Sequence, residues 1–345
     1  MKDRPGLSFF RGKEPLMKFA DMHCDTILEL RNHPEKSLDR SDLHVDLEKL
    51  KQGGVSLQCF ALFTDQKKQS VSEKEALELY DTFMTQMERH ARTISQVRNV
   101  RELKENEKAG RISALLTLEE GDVTFGGLAM LRNWHRMGVR MIALTWNYEN
   151  RLGSPNFSMD AYADYKTPSP LQHINNETGL TDFGKAYVRE MERLGIIVDV
   201  SHLGDRGFWD VMEIATKPVA ASHSNARTLC PVSRNLTDDM IRAIAKTGGI
   251  IGLNFCADFL KENNGNVSQL NDMAAHVRHI LEVGGEDVPA LGSDFDGITS
   301  ELELKDASGL PLLVQALKEE GLTESQIEKF AYGNFVRVFG QVCEL

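Results

Sequence analysis

The sequence has few cysteines, no excess of basic residues and no long apolar run. Its five cysteines, among 345 residues, are odd in number and none belongs to a CxxC pair. A disulfide framework is therefore not expected, and the reducing cytoplasm is the expected compartment. The formal net charge of −11 argues against nucleic acid or an anionic membrane as a partner, because both call for a basic surface. No apolar run reaches the roughly 18 residues of a membrane span, so we expect a soluble protein with a small-molecule substrate.

The first residues, MKDRPGLSFFRGKEPLMKF, carry charges throughout and lack the apolar core of a signal peptide. We expect residues 1–16 to be an extension outside the fold. With 41% hydrophobic residues, the rest of the chain can bury one large core, and no repeat or linker divides it. Residues 17–345 are therefore predicted to form a single domain.

Short apolar runs and helical patterns alternate along the chain. The predicted strands begin at Phe19 and cover 55–63, 112–118, 140–146, 196–201, 219–224, 250–255 and 290–295. The predicted helices cover 72–97, 128–137, 181–194, 205–216, 238–247, 269–283, 310–318 and 324–338. Residues 147–179 show no periodicity, and so long an irregular segment is usually functional or disordered. Eight strand–helix units predict an α/β fold of the (β/α)8 TIM-barrel type.

Polar residues end five of the eight predicted strands. His23 and Asp25 lie two residues apart, so on a strand they face the same side. The other strand ends carry Glu119, His202, His223 and Asp294. Active sites of such barrels form at the C-terminal ends of the strands.

A lone histidine or carboxylate at a strand end is more often structural, but six together predict a metal site. The set exceeds the three protein ligands of a catalytic zinc and suits a pair of ions, with Glu119 as the best bridge. Nitrogen and oxygen ligands suit zinc and also admit manganese, iron or cobalt. Cys24 should point to the opposite side of the strand.

Six motifs carry a family resemblance: DMHCDT, LTLEEG, VDVSH, ASHSNAR, SRNLTDD and GSDFDG. In this order and spacing they resemble the membrane (renal) dipeptidases, a branch of the amidohydrolase superfamily, over residues 19–340. The resemblance implies a metal-dependent hydrolase barrel, a homodimer, two zinc ions and dipeptide substrates, including those with a D-residue at the C-terminal position. By the same resemblance, His23 and Asp25 would hold the first metal, Glu119 would bridge, and His202 and His223 would hold the second.

The expected reaction is attack on the peptide carbonyl by a hydroxide that bridges the two metals. Asp294 corresponds to the family's acid/base residue, which takes the water's proton and passes it to the leaving amine. Asp296, two residues further along the chain, is its rival, and Asp294 is preferred because it matches the family position.

The resemblance also implies a subsite for the substrate's terminal carboxylate. Arg234, eleven residues after His223, matches the family arginine that binds this group, and a guanidinium fork suits a carboxylate. Without the resemblance, a surface arginine beside Asp238 or Asp239 would be the ordinary interpretation.

One departure concerns the substrate. The family's best-known members have a histidine after the fourth strand, where this sequence has Trp146. A tryptophan can pack against a substrate and donate one hydrogen bond, but cannot take up a proton. Asn147, Tyr148 and Asn150 are candidate replacements for substrate binding, although WNYEN could equally be turn structure.

The sequence is also compatible with two other functions. Fold and metal site alone do not define the substrate, so the enzyme could be another amidohydrolase that acts on a cyclic amide, a lactone or an N-acyl amino acid. A non-catalytic barrel that binds metal or peptide is the other alternative, and Trp146 is the feature that favours it.

Overall fold

In the computed structural model, which describes residues 17–65, 72–157 and 174–344, parallel strands close into a barrel surrounded by helices. The strands are β1 (Phe19–Asp21), β2 (Val55–Phe63), β3 (Ile94–Val97), β4 (Ile112–Glu119), β5 (Val139–Ala143), β6 (Ile197–Asp199), β7 (Ala220–Ala221), β8 (Ile250–Leu253), β9 (Val267–Ser268), β10 (Pro289–Leu291) and β11 (Glu301–Leu302). Around the ring the order is β1, β2, β4, β5, β6, β7, β8 and β10, and β10 pairs with β1. The predicted (β/α)8 barrel is confirmed.

Strand β3 lies outside this ring, in a segment that was predicted to be helical. The helix predicted over residues 72–97 ends at Arg89, and Ile94–Val97 pairs with the first half of β4. The second half of β4, from Leu116, pairs with β5 instead. The end residues of β3, Ile94 and Val97, are β-branched and buried, which suits a strand better than a helix.

Most of the predicted helices are present with small shifts at their ends, whereas four helices were not predicted, namely Thr26–Asn32, Leu47–Gly53, Val100–Lys108 and Ala257–Leu260. The helix bounds are Thr26–Asn32, Leu47–Gly53, Ser72–Arg89, Val100–Lys108, Leu128–Met137, Asp182–Leu194, Asp205–Ile214, Asp238–Lys246, Ala257–Leu260, Leu270–Gly284, Leu310–Glu319, Glu324–Glu328 and Asn334–Cys343. Local chemistry sets these ends: the helix from Asp182 begins where the Thr181 hydroxyl accepts from Gly184 N, and it stops at Gly195, whose φ is 76°. The helix predicted over 324–338 is interrupted by a π-helical turn, Lys329–Gly333.

Two apolar layers hold the barrel together. The outer layer lies between the strands and the surrounding helices. The inner layer takes residues from every strand of the ring, such as Ala20, Leu115 and Ile250, and closes on Phe335 and Phe339 of the last helix. These strand residues precede the polar strand ends, so the last helix seals the barrel at the end opposite those polar residues.

Two predictions concern residues outside the described ranges. Residues 1–16 are not among the described residues, nor are 158–173 of the irregular segment 147–179. The described parts of that segment carry an isolated bridge, Pro155 to Leu203, and no helix or longer strand. No helix within 17–65, 72–157 and 174–344 is both long and apolar enough to cross a membrane.

Candidate metal centre

The first and eighth strands of the ring bring three predicted site residues together. Their backbones stay paired beyond the strand ends: Asp25 N donates to Phe295 O (2.9 Å), and Asp294 N donates to His23 O (3.2 Å). As a result, His23 Nε2 lies 3.4 Å from Asp25 Oδ2 and 3.8 Å from Asp294 Oδ1. Cys24, between them, is fully buried in the outer apolar layer, on the opposite side as predicted.

Glu119, the last residue of β4, lies between two groups of histidines. Its Oε2 is 3.2 Å from His23 Nε2, whereas its Oε1 is 3.0 Å from His202 Nε2 and 3.6 Å from His223 Nε2. The two carboxylate oxygens therefore face different partners. This is the arrangement expected of a carboxylate that bridges two ions.

Hydrogen bonds set the tautomers of the two histidines that follow β6 and β7. His202 Nδ1 lies 2.8 Å from the amide oxygen of Asn147, which can only accept, so Nδ1 carries the proton. The Ser222 hydroxyl donates to the Asp199 carboxylate and accepts from His223 Nδ1 (2.7 Å). Both Nε2 atoms therefore carry lone pairs, and they face each other at 2.9 Å. Fixing a ligand histidine through its other nitrogen is typical of metal sites.

The electrostatics of the cluster call for added positive charge. Burial lowers the pKa of His202 and of His223 well below its ordinary value, and Arg234 adds to this, so both imidazoles are neutral. Burial raises the pKa of Glu119 to about 7 and also raises the pKa of Asp294. Neutral imidazoles next to several buried carboxylates are suited to binding a metal cation.

The donor atoms form three overlapping groups, and within each group they lie within 4.8 Å of one another. The groups are His23, Asp25 and Glu119; Glu119, His202 and His223; and His23, His223 and Asp294. His23 Nε2 and Asp25 Oδ1 are buried and make no hydrogen bond. Unpaired buried polar atoms of this kind are costly unless a ligand pairs with them. The donor atoms of these residues are thus suited to binding divalent metal.

Asp294 and Asp296 have different environments. Asp294 Oδ2 accepts from Asn254 Nδ2 (2.9 Å), while its Oδ1 is directed toward His23. Asp296 uses both oxygens elsewhere, accepting from Thr26 Oγ1 (2.7 Å) and from His44 N (2.6 Å). Both aspartates have a left-handed backbone, with φ of 65° and 66°, so strand alternation does not decide their directions. The hydrogen bonds favour Asp294 over its rival.

Arg234 is buried beside the cluster. It is only 2% exposed, its Nη2 donates to His223 O (3.1 Å), and the same nitrogen lies 3.0 Å from His202 Nε2. Asp238, considered as its partner from the sequence, bonds His279 instead. The interpretation of Arg234 as an ordinary surface residue is therefore wrong.

The loop after β5 is fixed by a buried carboxylate. Glu120 accepts from Trp146 N (3.1 Å) and from Asn150 Nδ2 (2.5 Å). Tyr148 is 7% exposed and packs its ring 5.8 Å from that of Trp146. Asn150 thus supports the loop and Asn147 bonds His202. Both Trp146 and Asn147 line the cavity.

Several residues around the site were not singled out from the sequence. Asn254, which holds Asp294, follows β8 and could have been found by extending the strand-end rule to amides. Phe63 ends β2 and lines the cavity, and the same rule applied to aromatics would have found it. Ser222 and Asp199 act through folded contacts on His223, and no sequence signal marks that role.

A cavity of 440 Å³ opens above the cluster. It contains polar groups from the cluster, namely Asp25, Glu119, His202 and Asp294, together with Arg234. The rest of its wall is mostly apolar, with Leu28, Phe63, Trp146, Phe157, Phe259 and Ile298, but it also includes the polar residues Glu29, Asn147, Asp296 and Thr299. A mostly apolar cleft with few convergent polar groups is typical of a small-molecule site.

Known proteins resemble this chain over nearly its whole length. The sequence model described as membrane dipeptidase (peptidase family M19) matches residues 15–345. A Klebsiella pneumoniae protein, described as the uncharacterized protein in the pqqA 5′ region, is 37% identical over 236 residues, which are 67% of this chain and 83% of that protein.

Two solved structures align over nearly the whole chain. The dipeptidase AC, a metallopeptidase of family M19, is 27% identical with a TM-score of 0.85, covering 96% of this chain and 100% of its own. A metallopeptidase from Rhodobacter sphaeroides, solved with a phosphinate mimic of the dipeptide L-Ala-D-Ala, is 26% identical with a TM-score of 0.84. That alignment covers 95% of this chain and 100% of the Rhodobacter chain.

Proposed function

Because this chain belongs to the membrane dipeptidase family, peptidase family M19, we propose that the cluster at the barrel rim is the centre at which it hydrolyses dipeptides. As a member of that family, the chain is a metal-dependent dipeptidase. The observation that carries the assignment of the site is the position of Glu119, whose two oxygens face His23 and the His202–His223 pair. The family match over residues 15–345 also supports a single domain from residue 17 onward.

In this proposal His23 and Asp25 hold one divalent ion, His202 and His223 hold a second, and Glu119 is shared. The nitrogen and oxygen donors without a thiolate support zinc as the ion. When bound, such ions supply Lewis acidity, which polarises the scissile carbonyl and makes water nucleophilic near neutral pH. Asn147 and Ser222 keep Nε2 of His202 and His223 unprotonated and directed at the centre.

Asp294 is the proton carrier of the proposed reaction. Its Oδ2 is held by Asn254, and its Oδ1 is available to accept a proton from the attacking water and return it to the leaving amine. Arg234 binds the substrate's C-terminal carboxylate, which limits the enzyme to short peptides with a free C-terminus.

The relative from Rhodobacter sphaeroides supports one feature of the substrate. That protein was solved with a mimic of L-Ala-D-Ala, and we propose that this chain likewise accepts a D-residue at the C-terminal position. A homodimer and a cytoplasmic location belong to the proposal as well. The five cysteines are all free, which supports a reducing compartment.

The test is a panel of dipeptides assayed with purified, metal-analysed enzyme. The panel includes L-Ala-L-Ala, L-Ala-D-Ala, their C-terminal amides, a lactone and an N-acyl amino acid. We expect hydrolysis of the free dipeptides and at least roughly hundredfold lower kcat/KM for the amides, because Arg234 then lacks its charged partner. Bound metal with no hydrolysed dipeptide would contradict the function, and preference for the amides would contradict the role of Arg234.

Asp294→Asn tests the proton carrier. The amide keeps the shape of the side chain but cannot take up a proton, so kcat should fall by about 10²–10⁴-fold while metal content stays at the wild-type level. Asp296→Asn is the matched control and should retain far more activity, because both Asp296 oxygens are engaged by Thr26 and His44. The opposite ranking of the two variants would transfer the role to Asp296.

A further inference from the structure

We infer that Phe63 and Trp146 form the subsite for the N-terminal side chain of the dipeptide, and that this subsite selects a large apolar residue there. The inference rests on the proposed function and names the substrate class of the same cavity. Both side chains line the cavity and are half-buried, so each presents part of its ring to a ligand.

The order of the strands gives the direction in which a substrate lies. Eight strands form the ring, and β2 and β7 are four places apart, so they stand on opposite sides of the barrel. Phe63 is the last residue of β2. Arg234 contacts the carbonyl oxygen of His223, just after β7. The polar cluster lies between these two sides.

A dipeptide must span this diameter in one direction. With its carboxylate at Arg234 and its scissile carbonyl at the cluster, the N-terminal residue extends away from β7 and toward β2. Leu28 and Phe63 line the cavity on that side, and Trp146, in the loop after β5, packs against Phe63 there. The side chain of the N-terminal residue therefore meets an apolar, largely aromatic surface.

The aromatic surface is formed before any ligand binds. The rings of Phe63 and Trp146 pack edge to face at 72°, with centroids 4.8 Å apart, a favourable geometry for aromatic pairs. The backbone of Trp146 is anchored on buried Glu120. A rigid apolar surface loses little conformational freedom on binding, so its contact with a substrate side chain contributes to affinity.

Charge on the same side works against acidic substrates. Glu29, whose side chain is 30% exposed and 3.8 Å from His33, lines the cavity next to Leu28. Its carboxylate suits the substrate's α-ammonium group but repels an aspartate or glutamate side chain. The expected order of N-terminal residues is therefore Phe and Leu first, Gly next, and Asp last.

The test measures kcat/KM for Phe-Ala, Leu-Ala, Gly-Ala and Asp-Ala, with the stereochemistry at alanine that the enzyme accepts. We expect Phe-Ala and Leu-Ala to exceed Gly-Ala by at least about tenfold, the usual effect of a few methylene groups in an apolar pocket. Phe63→Ala and Trp146→Ala should each reduce the Phe-Ala to Gly-Ala ratio at least about fivefold. Phe63→Leu, which keeps an apolar side chain at the end of β2, should retain part of the preference.

Two controls separate this subsite from other effects. Phe259 stacks on Arg234 at 5.2 Å on the opposite side, so Phe259→Ala should lower kcat/KM for all four dipeptides alike. Phe125 is 63% exposed, and Phe125→Ala should change nothing. Equal rates for all four dipeptides, or an unchanged ratio in folded Phe63→Ala and Trp146→Ala, would overturn the inference while leaving dipeptidase activity intact. Absence of any dipeptide hydrolysis would instead overturn the proposed function.

Discussion

At the scale of single residues, the orientation of the His202 imidazole depends on Asn147. Asn147, predicted as a substrate-binding residue in place of the family histidine, lines the cavity, and its amide oxygen also lies 2.8 Å from His202 Nδ1. That contact exists because Glu120 fixes the loop through Trp146 and Asn150. A sequence pattern can mark an amide near a site, but which atom it contacts depends on how the loop folds.

Asn147→Ala should weaken metal binding. Without an acceptor for the Nδ1 proton, His202 can rotate or adopt the other tautomer. Removal of the group that holds a metal-binding histidine through its other nitrogen typically lowers metal affinity about 10–100-fold. Competition with a chromophoric chelator measures this directly, without an activity assay. Asn147→Asp keeps an acceptor in place and should stay close to wild type. Equal metal affinity in Asn147→Ala and wild type would show that the contact does not position His202.

At the scale of elements, the barrel strands hold the site by approaching one another closely. A Cβ on Gly252, in β8, or on Gly292, just after β10, would collide with the carbonyl oxygen of Ser222. Ser222 directly precedes His223, so the missing side chains allow β7 to lie where its histidine reaches Glu119. Glycine at these two positions therefore has a steric function.

Gly252→Ala should destabilise the protein and disturb the metal centre together. Overpacking a tight contact usually costs about 1–3 kcal/mol of unfolding free energy, and the shift of Ser222 should also lower metal affinity. Gly127→Ala is the matched control, because a Cβ there meets nothing within 4 Å and its φ is −155°. Urea unfolding with metal titration measures both effects. A Gly252→Ala variant as stable as Gly127→Ala would contradict the steric role.

The ring strands could be predicted from the sequence, whereas β3 and the directions of Asp294 and Asp296 could not. The ring strands and the residues at their ends followed from apolar runs interrupted by His, Asp or Glu, since burial on both faces leaves a strong pattern. The strand Ile94–Val97 was merged into a helix because four residues are too few to show a period of two. The directions of Asp294 and Asp296 could not be predicted, because both leave the strand geometry with φ near 65°.

At the scale of the whole molecule, stability depends on a histidine far from any predicted catalytic role. His276, in the helix Leu270–Gly284, is 1% exposed and accepts from Ala226 N through Nδ1 (3.1 Å) while Nε2 donates to Leu260 O (2.8 Å). It thus joins three separate parts of the chain. Burial lowers the pKa of His276 to about 4, so its neutral form is part of the fold.

Unfolding free energy should therefore decrease as the pH falls from about 6.5 to about 4. In that window the unfolded chain binds a proton at His276 and the folded chain does not, which lowers stability by up to about 3 kcal/mol at about 1.4 kcal/mol per pH unit. The urea midpoint of wild type should exceed that of His276→Gln near pH 6.5, and the difference between the two midpoints should shrink as the pH falls. His33→Gln, at a 47% exposed side chain, should run parallel to wild type. A constant difference between wild type and His276→Gln would contradict the neutral state.

The last helix, Asn334–Cys343, has a consequence for how the protein is made. Its residues Phe335, Phe339 and Val342 complete an apolar layer to which every strand of the ring contributes. A ribosome produces this helix only after all eight strands, and at about 5–20 residues per second the roughly 50 residues from the end of β10 to the end of the helix take about 3–10 s. During that time the interior of the barrel is open to water at its lower end. The nascent chain should therefore depend on chaperones until this helix emerges, even though the residues of the metal centre have already been synthesised.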